Sequence, residues 1–206
     1  MDVSRPYSAV TSSVEASVLI ALARIEEPIT GRRVAAIVDR GSQSAVNTAL
    51  GKLADQGIVR RQESASAYLY EINRDHLAFG AVSALASMRS ELISRLKERL
   101  REWGESGVGP RFACMFGSAA RGDGDIDSDV DIFLLRPSAV ADDDDAWVHA
   151  TEDLRLYIEN LTGNSANLIE VSEIDLCSVL EKPLGKEIIR DQVLLFGSQR
   201  LTPTSP

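Results

Sequence analysis

The chain is poor in the residues that build thiolate or imidazole metal sites: 206 residues contain two cysteines and two histidines. Cys114 and Cys177 lie in the apolar segments FACMF and DLCSVL, without metal-ligand spacing or a nearby histidine. That argues against a zinc site and against a disulfide framework, so both are expected to be buried, reduced thiols. No apolar run approaches the ~20 residues that span a bilayer. The first residues, MDVSRPYSAV, lack the charged start and apolar stretch of a signal peptide. A cytoplasmic protein with no membrane partner is the expectation, and no internal repeat stands out. What is present is a 44% apolar composition, enough to give a core to one large domain or two small ones.

The net charge of −9 hides an asymmetry. Residues 1–104 carry 14 Lys and Arg against 12 Asp and Glu, whereas residues 105–206 carry 8 against 19. Between Gly31 and Arg61 six basic residues (Arg32, Arg33, Arg40, Lys52, Arg60, Arg61) face two acidic ones, Asp39 and Asp55. Phosphate binding by that segment is electrostatically favourable.

Apolar residues recur at helical spacing from Ser12 to Arg24, and Pro28 follows. Thr30 suits the N-cap of a short second helix that Gly41 closes, and Ser42 that of a third running to about Gln56. The runs IVRRQ and AYLYEI, joined by the polar stretch Glu63–Ser66, read as a β-hairpin. In the third helix Val46, Leu50 and Leu53 form an inward stripe, leaving Gln43, Ser44, Asn47, Thr48 and Lys52 largely on other faces. Short polar side chains on such a face can reach base edges in the major groove, while Arg32, Arg60 and Arg61 are placed to grip phosphate. The order helix, helix, helix, hairpin, with ALGKLADQGIVRR at its centre, resembles a winged helix-turn-helix. The resemblance implies binding of double-stranded DNA; a protein-interaction or dimerisation module would share the pattern, and the basic balance favours DNA.

From Asp75 to Trp103 there is no proline, and Val82, Leu85, Met88, Leu92, Leu96, Leu100 and Trp103 recur at intervals mostly of three and four. This predicts one long helix, available for a homodimer contact. The glycine-rich segment Gly104–Pro110 reads as a linker. Asp142–Asp145 precede an amphipathic stretch, where acids favour the helix dipole, so capping rather than metal binding is expected.

The chemistry concentrates in RFACMFGSAARGDGDIDSDVDIFLLRP. An apolar strand meets a Gly-Ser turn, and a polar loop leads to a second strand with alternating aspartates. Gly117 lets the backbone approach a phosphate, and Ser118 adds a hydroxyl and an amide. Asp129 and Asp131, two apart on a strand, project to one face, and such a pair suits Mg²⁺ (or Mn²⁺) shared with substrate phosphates. Asp123, Asp125 and Asp127 are read as a solvated loop.

Gly117-Ser118, ten intervening residues and Asp129-Val130-Asp131 together are similar to the signature of the DNA polymerase β nucleotidyltransferase superfamily, and FGSAARGDGDIDSDVDIFLL resembles its minimal branch. The resemblance implies phosphate contact by Gly117 and Ser118, with Arg121 adding to it. It implies metal binding by Asp129 and Asp131, and a catalytic set of Ser118, Asp129 and Asp131. A nucleoside triphosphate would be substrate, and a protein or small-molecule hydroxyl the acceptor; minimal relatives include antitoxins that modify a partner toxin. The family's third carboxylate comes from a later strand, here ANLIEV, and the aligned position holds Asn167. Asparagine can ligate a metal but cannot act as a base. Glu170, three residues on, falls on the other face of that strand.

The expected fold is α/β (α+β): a winged helix over 8–75, a long helix over 76–104, a nucleotidyltransferase-like domain with a mixed sheet flanked by helices over 105–200, and a disordered tail at 201–206. Two activities fit: nucleotidyl transfer beside DNA binding, or a transcription regulator that senses nucleotide without transferring it.

Overall fold

The structure, a computed structural model, describes residues 1–38, 40–64, 67–198 and 201–202. Asp39 of the basic segment, Ala65 and Ser66 of the expected hairpin turn, and residues 203–206 of the expected disordered tail lie outside the described residues. The chain divides into two compact units, Tyr7–Met88 and Met1–Pro6 with Arg89–Pro206.

The first unit runs α1 (Val14–Ala23), β1 (Ile29–Thr30), α2 (Gly31–Ile37), α3 (Gln43–Asp55), β2 (Val59–Ser64) and β3 (Ala67–Ile72). Each helix starts on a hydroxyl cap: Ser13, Thr30 and Ser42 accept from the amides of Ala16, Arg33 and Ala45. Such caps contribute about 1 kcal/mol each. Val46, Ala49, Leu50 and Leu53 bury one face of α3 against Val18, Leu22 and Val34. Gly57, at φ 79°, turns the chain out of α3. The strands form an antiparallel sheet in the order β1-β3-β2, with Arg61 opposite Tyr70 and Gln62 opposite Leu69.

Helix α4 spans Phe79–Glu105, about 40 Å at 1.5 Å per residue. It begins later than the apolar spacing alone suggests because residues 73–78 fold into turns, with the Asp75 amide on Asn73 Oδ1 at 3.2 Å and the Phe79 amide on His76 O at 2.8 Å. The glycine-rich segment after it is a packed turn. Trp103 Nε1 donates to Val108 O at 2.9 Å, and a Cβ on Gly104 would lie 2.5 Å from the Phe196 ring.

The second unit continues with β4 (Phe112–Phe116), α5 (Gly117–Arg121), β5 (Val130–Arg136), α6 (Asp145–Thr162), β6 (Ala166–Ser172), α7 (Leu176–Leu180), α8 (Pro183–Asp191) and β7 (Val193–Phe196). These strands make a mixed sheet in the order β6-β5-β4-β7: β5 pairs with β6 in parallel across the α6 crossover, and with β4 antiparallel. Strands β4 and β5 are central and buried on both faces, which is why they read as continuous apolar runs. Ala113, Met115, Val130, Ile132 and Leu134 face the core shared with Leu96, Leu100, Trp147 and Leu154. Phe112, Cys114, Phe116, Phe133 and Leu135 face the opposite core, with Ile188 of α8. Asp144 caps α6 by accepting from the Trp147 amide at 3.0 Å, as expected for that acidic run.

Cys114 is buried, and burial pushes its thiol up to about 12. Cys177 departs from the expectation: it is exposed, because α7 buries only Leu180. No described helix is long and apolar enough to cross a membrane.

Candidate functional site

Strand periodicity decides which side chains meet. On β5 the odd positions face α8, so Asp131 emerges beside Phe133 and Leu135 on that face. Asp131 is half-buried at the end of the strand and Asp129 is exposed just before it. The turn leaving β4 lies directly against this carboxylate. Gly117 adopts φ 69°, and a Cβ there would stand 2.6 Å from Asp131 Oδ2. Glycine is therefore required twice, for the left-handed backbone and for the space the carboxylate occupies.

Burial is the main influence on Asp131 and raises its pKa; the charges of Asp129 and Glu187 raise it further, while a hydrogen bond from Asn167 and the charge of Arg121 lower it. A half-buried carboxylate disfavoured in this way, beside the exposed Asp129, is a fit for a hard divalent cation, which would relieve its burial and the repulsion. Asp129 has no ion-pair partner among the described residues, so its oxygens are available as ligands.

Asn167 sits opposite Asp131 in the β5–β6 register. Its Nδ2 donates to Asp131 Oδ1 at 2.9 Å. Glu170 is on the other face, where it accepts from the indole N–H of the fully buried Trp147. Among the described residues no group of three His, Cys, Asp or Glu is arranged to hold a metal ion.

The loop between the turn and the acid pair is tied down. Asp125 accepts from Ser128 Oγ at 2.9 Å and from the Asp127 amide at 3.0 Å, so its carboxylate serves the loop itself. Asn164, buried at the end of α6, donates to Ile126 O at 3.2 Å and Ser128 O at 2.9 Å. From α4, Arg89 donates to Ala119 O at 2.8 Å and Ala120 O at 3.0 Å, and to Val3 O at 2.9 Å. These supports come from residues distant in sequence.

Arg121, read from the sequence as a phosphate contact, is engaged by acids. It lies 2.5 Å from Asp191, 3.0 Å from Asp123 and 3.5 Å from Glu187. Phosphate would have to compete with them. Asp191, with its side chain 2% exposed, also holds Arg190 at 2.6 Å. Neither Glu187 nor Asp191 was singled out in the sequence. The available signal was Pro183 opening a strongly amphipathic run in which charges recur at 187, 190 and 191.

In the first unit, Arg32, Gln43 and Asn47 line a groove of about 730 Å³ with Thr30, Gly31, Ala67, Tyr68 and Tyr70. Gln43 Nε2 donates to Asn47 Oδ1 at 3.0 Å and Gly31 O at 3.3 Å. Ser44, Thr48 and Lys52 are exposed on α3 but outside the groove lining. Lys52 pairs with Glu15 at 3.2 Å. Arg60 pairs with Asp75 at 2.7 Å, whereas Arg61 lies over the Tyr68 ring, 4.9 Å from its centroid.

Residues 93–164, about a third of the chain, match the family model described as a nucleotidyltransferase domain. The matched span takes in Gly117, Ser118, Asp129 and Asp131 and stops short of Asn167. No curated protein matches the chain significantly. Among solved structures, a toxin–antitoxin with AMP-PNP is 17% identical, with a TM-score of 0.34, covering 50% of this chain and 74% of that one. A nucleotidyltransferase-like protein of Sulfolobus solfataricus is 20% identical, with a TM-score of 0.32, covering 54% of this chain and 85% of that one. Both likenesses are distant.

Proposed function

We propose that the second unit transfers a nucleoside monophosphate from a nucleoside triphosphate to a hydroxyl of a protein or small molecule, in a Mg²⁺- or Mn²⁺-dependent reaction. The observation that carries this reading is the seating of the Asp131 carboxylate against the Gly117 turn, at the distance where a Cβ would collide. A phosphate-approaching turn and a metal-ready acid pair thereby share one end of the sheet. Asp129 and Asp131 would hold the metal, which would supply neutralisation of the triphosphate charge. Gly117 and Ser118 bind phosphate through backbone amides and the Ser118 hydroxyl, orienting the triphosphate. The nucleotidyltransferase family match over 93–164 supports the same reading.

The first unit, in this proposal, is a winged helix-turn-helix that binds double-stranded DNA. Helix α3 is the recognition helix and β2–β3 the wing, with Arg32, Gln43 and Asn47 at the groove between them. The exposed polar face of α3 supports it, as do Arg32 and Arg61, which have no acidic partner among the described residues. The two activities would lie in the domains read at 8–75 and 105–200, with α4 divided between the two units.

One observation favours a second reading. Asn167, in place of a third carboxylate, donates to Asp131, an arrangement that can retain nucleotide without accepting a proton. The chain would then be a DNA-bound nucleotide sensor. The test is incubation with α-labelled nucleoside triphosphates and Mg²⁺ or Mn²⁺, using cell lysate as acceptor source and Asp129→Asn as control. Label transferred by the wild type alone supports the enzyme; nucleotide binding without transfer supports the sensor.

A further inference from the structure

Strand β6 offers no carboxylate on the site's face, so any proton acceptor must come from elsewhere. Asp125 is spent on its own loop. Asp123 pairs with Arg121 at 3.0 Å. Glu170 lies on the opposite face with Trp147. Asp191 is buried between Arg121 and Arg190.

Glu187 remains. It stands one helical turn before Asp191 on α8, so the two share a face. That face is fixed toward α5 because both acids meet the same nitrogen, Arg121 Nη1, Asp191 at 2.5 Å and Glu187 at 3.5 Å. The helix itself is anchored: Ile188 is fully buried, and a Cβ on Gly185 would stand 2.3 Å from Leu180 Cα. The Glu187 side chain is 42% exposed, and its other cationic neighbour, Arg190, is 3.9 Å away. Its charge also reaches Asp131. It is thus solvent-accessible, held by long ion pairs rather than close ones, and carried by the helix whose Ile188 clusters with Phe133 and Leu135 on the face from which Asp131 emerges.

We infer that Glu187 is the general base for the acceptor hydroxyl, supplying from helix α8 the carboxylate that strand β6 lacks. This rests on the transfer reading above. Glu187 takes the proton of the acceptor O–H, and the freed oxygen forms the bond to the α-phosphorus. The bond from that phosphorus to the α–β bridging oxygen breaks, the electron pair leaving with pyrophosphate. The protonated Glu187 returns its proton to solvent.

The test compares wild type, Glu187→Gln and Glu187→Asp for transfer from α-labelled nucleoside triphosphates with Mn²⁺ and lysate acceptors, across pH. A separate titration measures affinity for the Mn²⁺–nucleotide. Glu187→Gln should transfer at least about 100-fold more slowly and lose the acid limb of the pH–rate profile. Its nucleotide affinity should stay within about threefold of wild type, as expected for a group acting only on the acceptor. Glu187→Asp should keep the acid limb at reduced rate. Wild-type transfer rates in Glu187→Gln, or a parallel loss of nucleotide affinity, would overturn the assignment while leaving the transfer reading intact. A wild type that transfers nothing overturns both.

Discussion

Asn167 donates its amide hydrogen to Asp131 across the parallel β5–β6 pairing, at 2.9 Å. Replacing it with aspartate removes that donor and adds a like charge. Asn167→Asp should lower the melting temperature of the metal-free protein and restore it when Mg²⁺ or Mn²⁺ is added. Nucleotide affinity should be retained and transfer should rise. Thermal melts with and without metal, paired with the labelling assay, check this; a metal-insensitive melt would count against Asp131 as a ligand.

Gly117→Ala tests the turn. A left-handed alanine costs about 1–2 kcal/mol, and its Cβ would have to displace the Asp131 carboxylate. Loss of nucleotide binding together with a melting-temperature drop of roughly 2–8 °C is expected. Retained affinity would mean the turn and the acid pair act independently.

Asp191 supplies the pH dependence. Hydrogen bonds from Arg190, then Arg121, hold its carboxyl below the usual aspartate range, against the opposing effect of burial. The folded state therefore favours the ionised form. This contribution is complete above the ordinary aspartate pKa and is lost as pH falls through the lowered value. Asp191→Ala should cost about 1–3 kcal/mol at neutral pH, and the gap from wild type should narrow on acidification below the aspartate range. Denaturation midpoints at several pH values measure it.

For DNA, the arginines should differ. Arg61 stacks on Tyr68 without an acidic partner among the described residues, whereas Arg60 is already paired with Asp75. Arg61→Ala should weaken binding of promoter-derived duplexes and reduce the slope of log affinity on log salt by about 1. Arg60→Ala should do less, and Arg32→Ala, at the groove, should resemble Arg61→Ala. No salt-dependent binding by the wild type would remove the DNA reading.

Local rules carried much of the fold. Thr30 and Ser42 cap the helices they were expected to cap, and the period of two put Glu170 on the face away from Asn167, where Trp147 holds it. Cys177 misled because its apolar neighbours belong to a short helix that buries only Leu180. The pairing of Arg121 was not legible for another reason: its partner Asp191 is 70 residues away, and no local pattern reports such a pairing. Arg89 and Asn164 were illegible likewise, since Arg89 reaches backbone carbonyls of α5 and Asn164 those of the loop, groups that any sequence would present.

The most direct test of the central claim is calorimetric titration of the wild type and Asp129→Asn with each of the four nucleoside triphosphates in Mg²⁺. The account predicts metal-dependent binding of at least one nucleotide by the wild type, and its loss or marked weakening in the variant. Equal affinity in both proteins, or wild-type binding indifferent to metal, would contradict it.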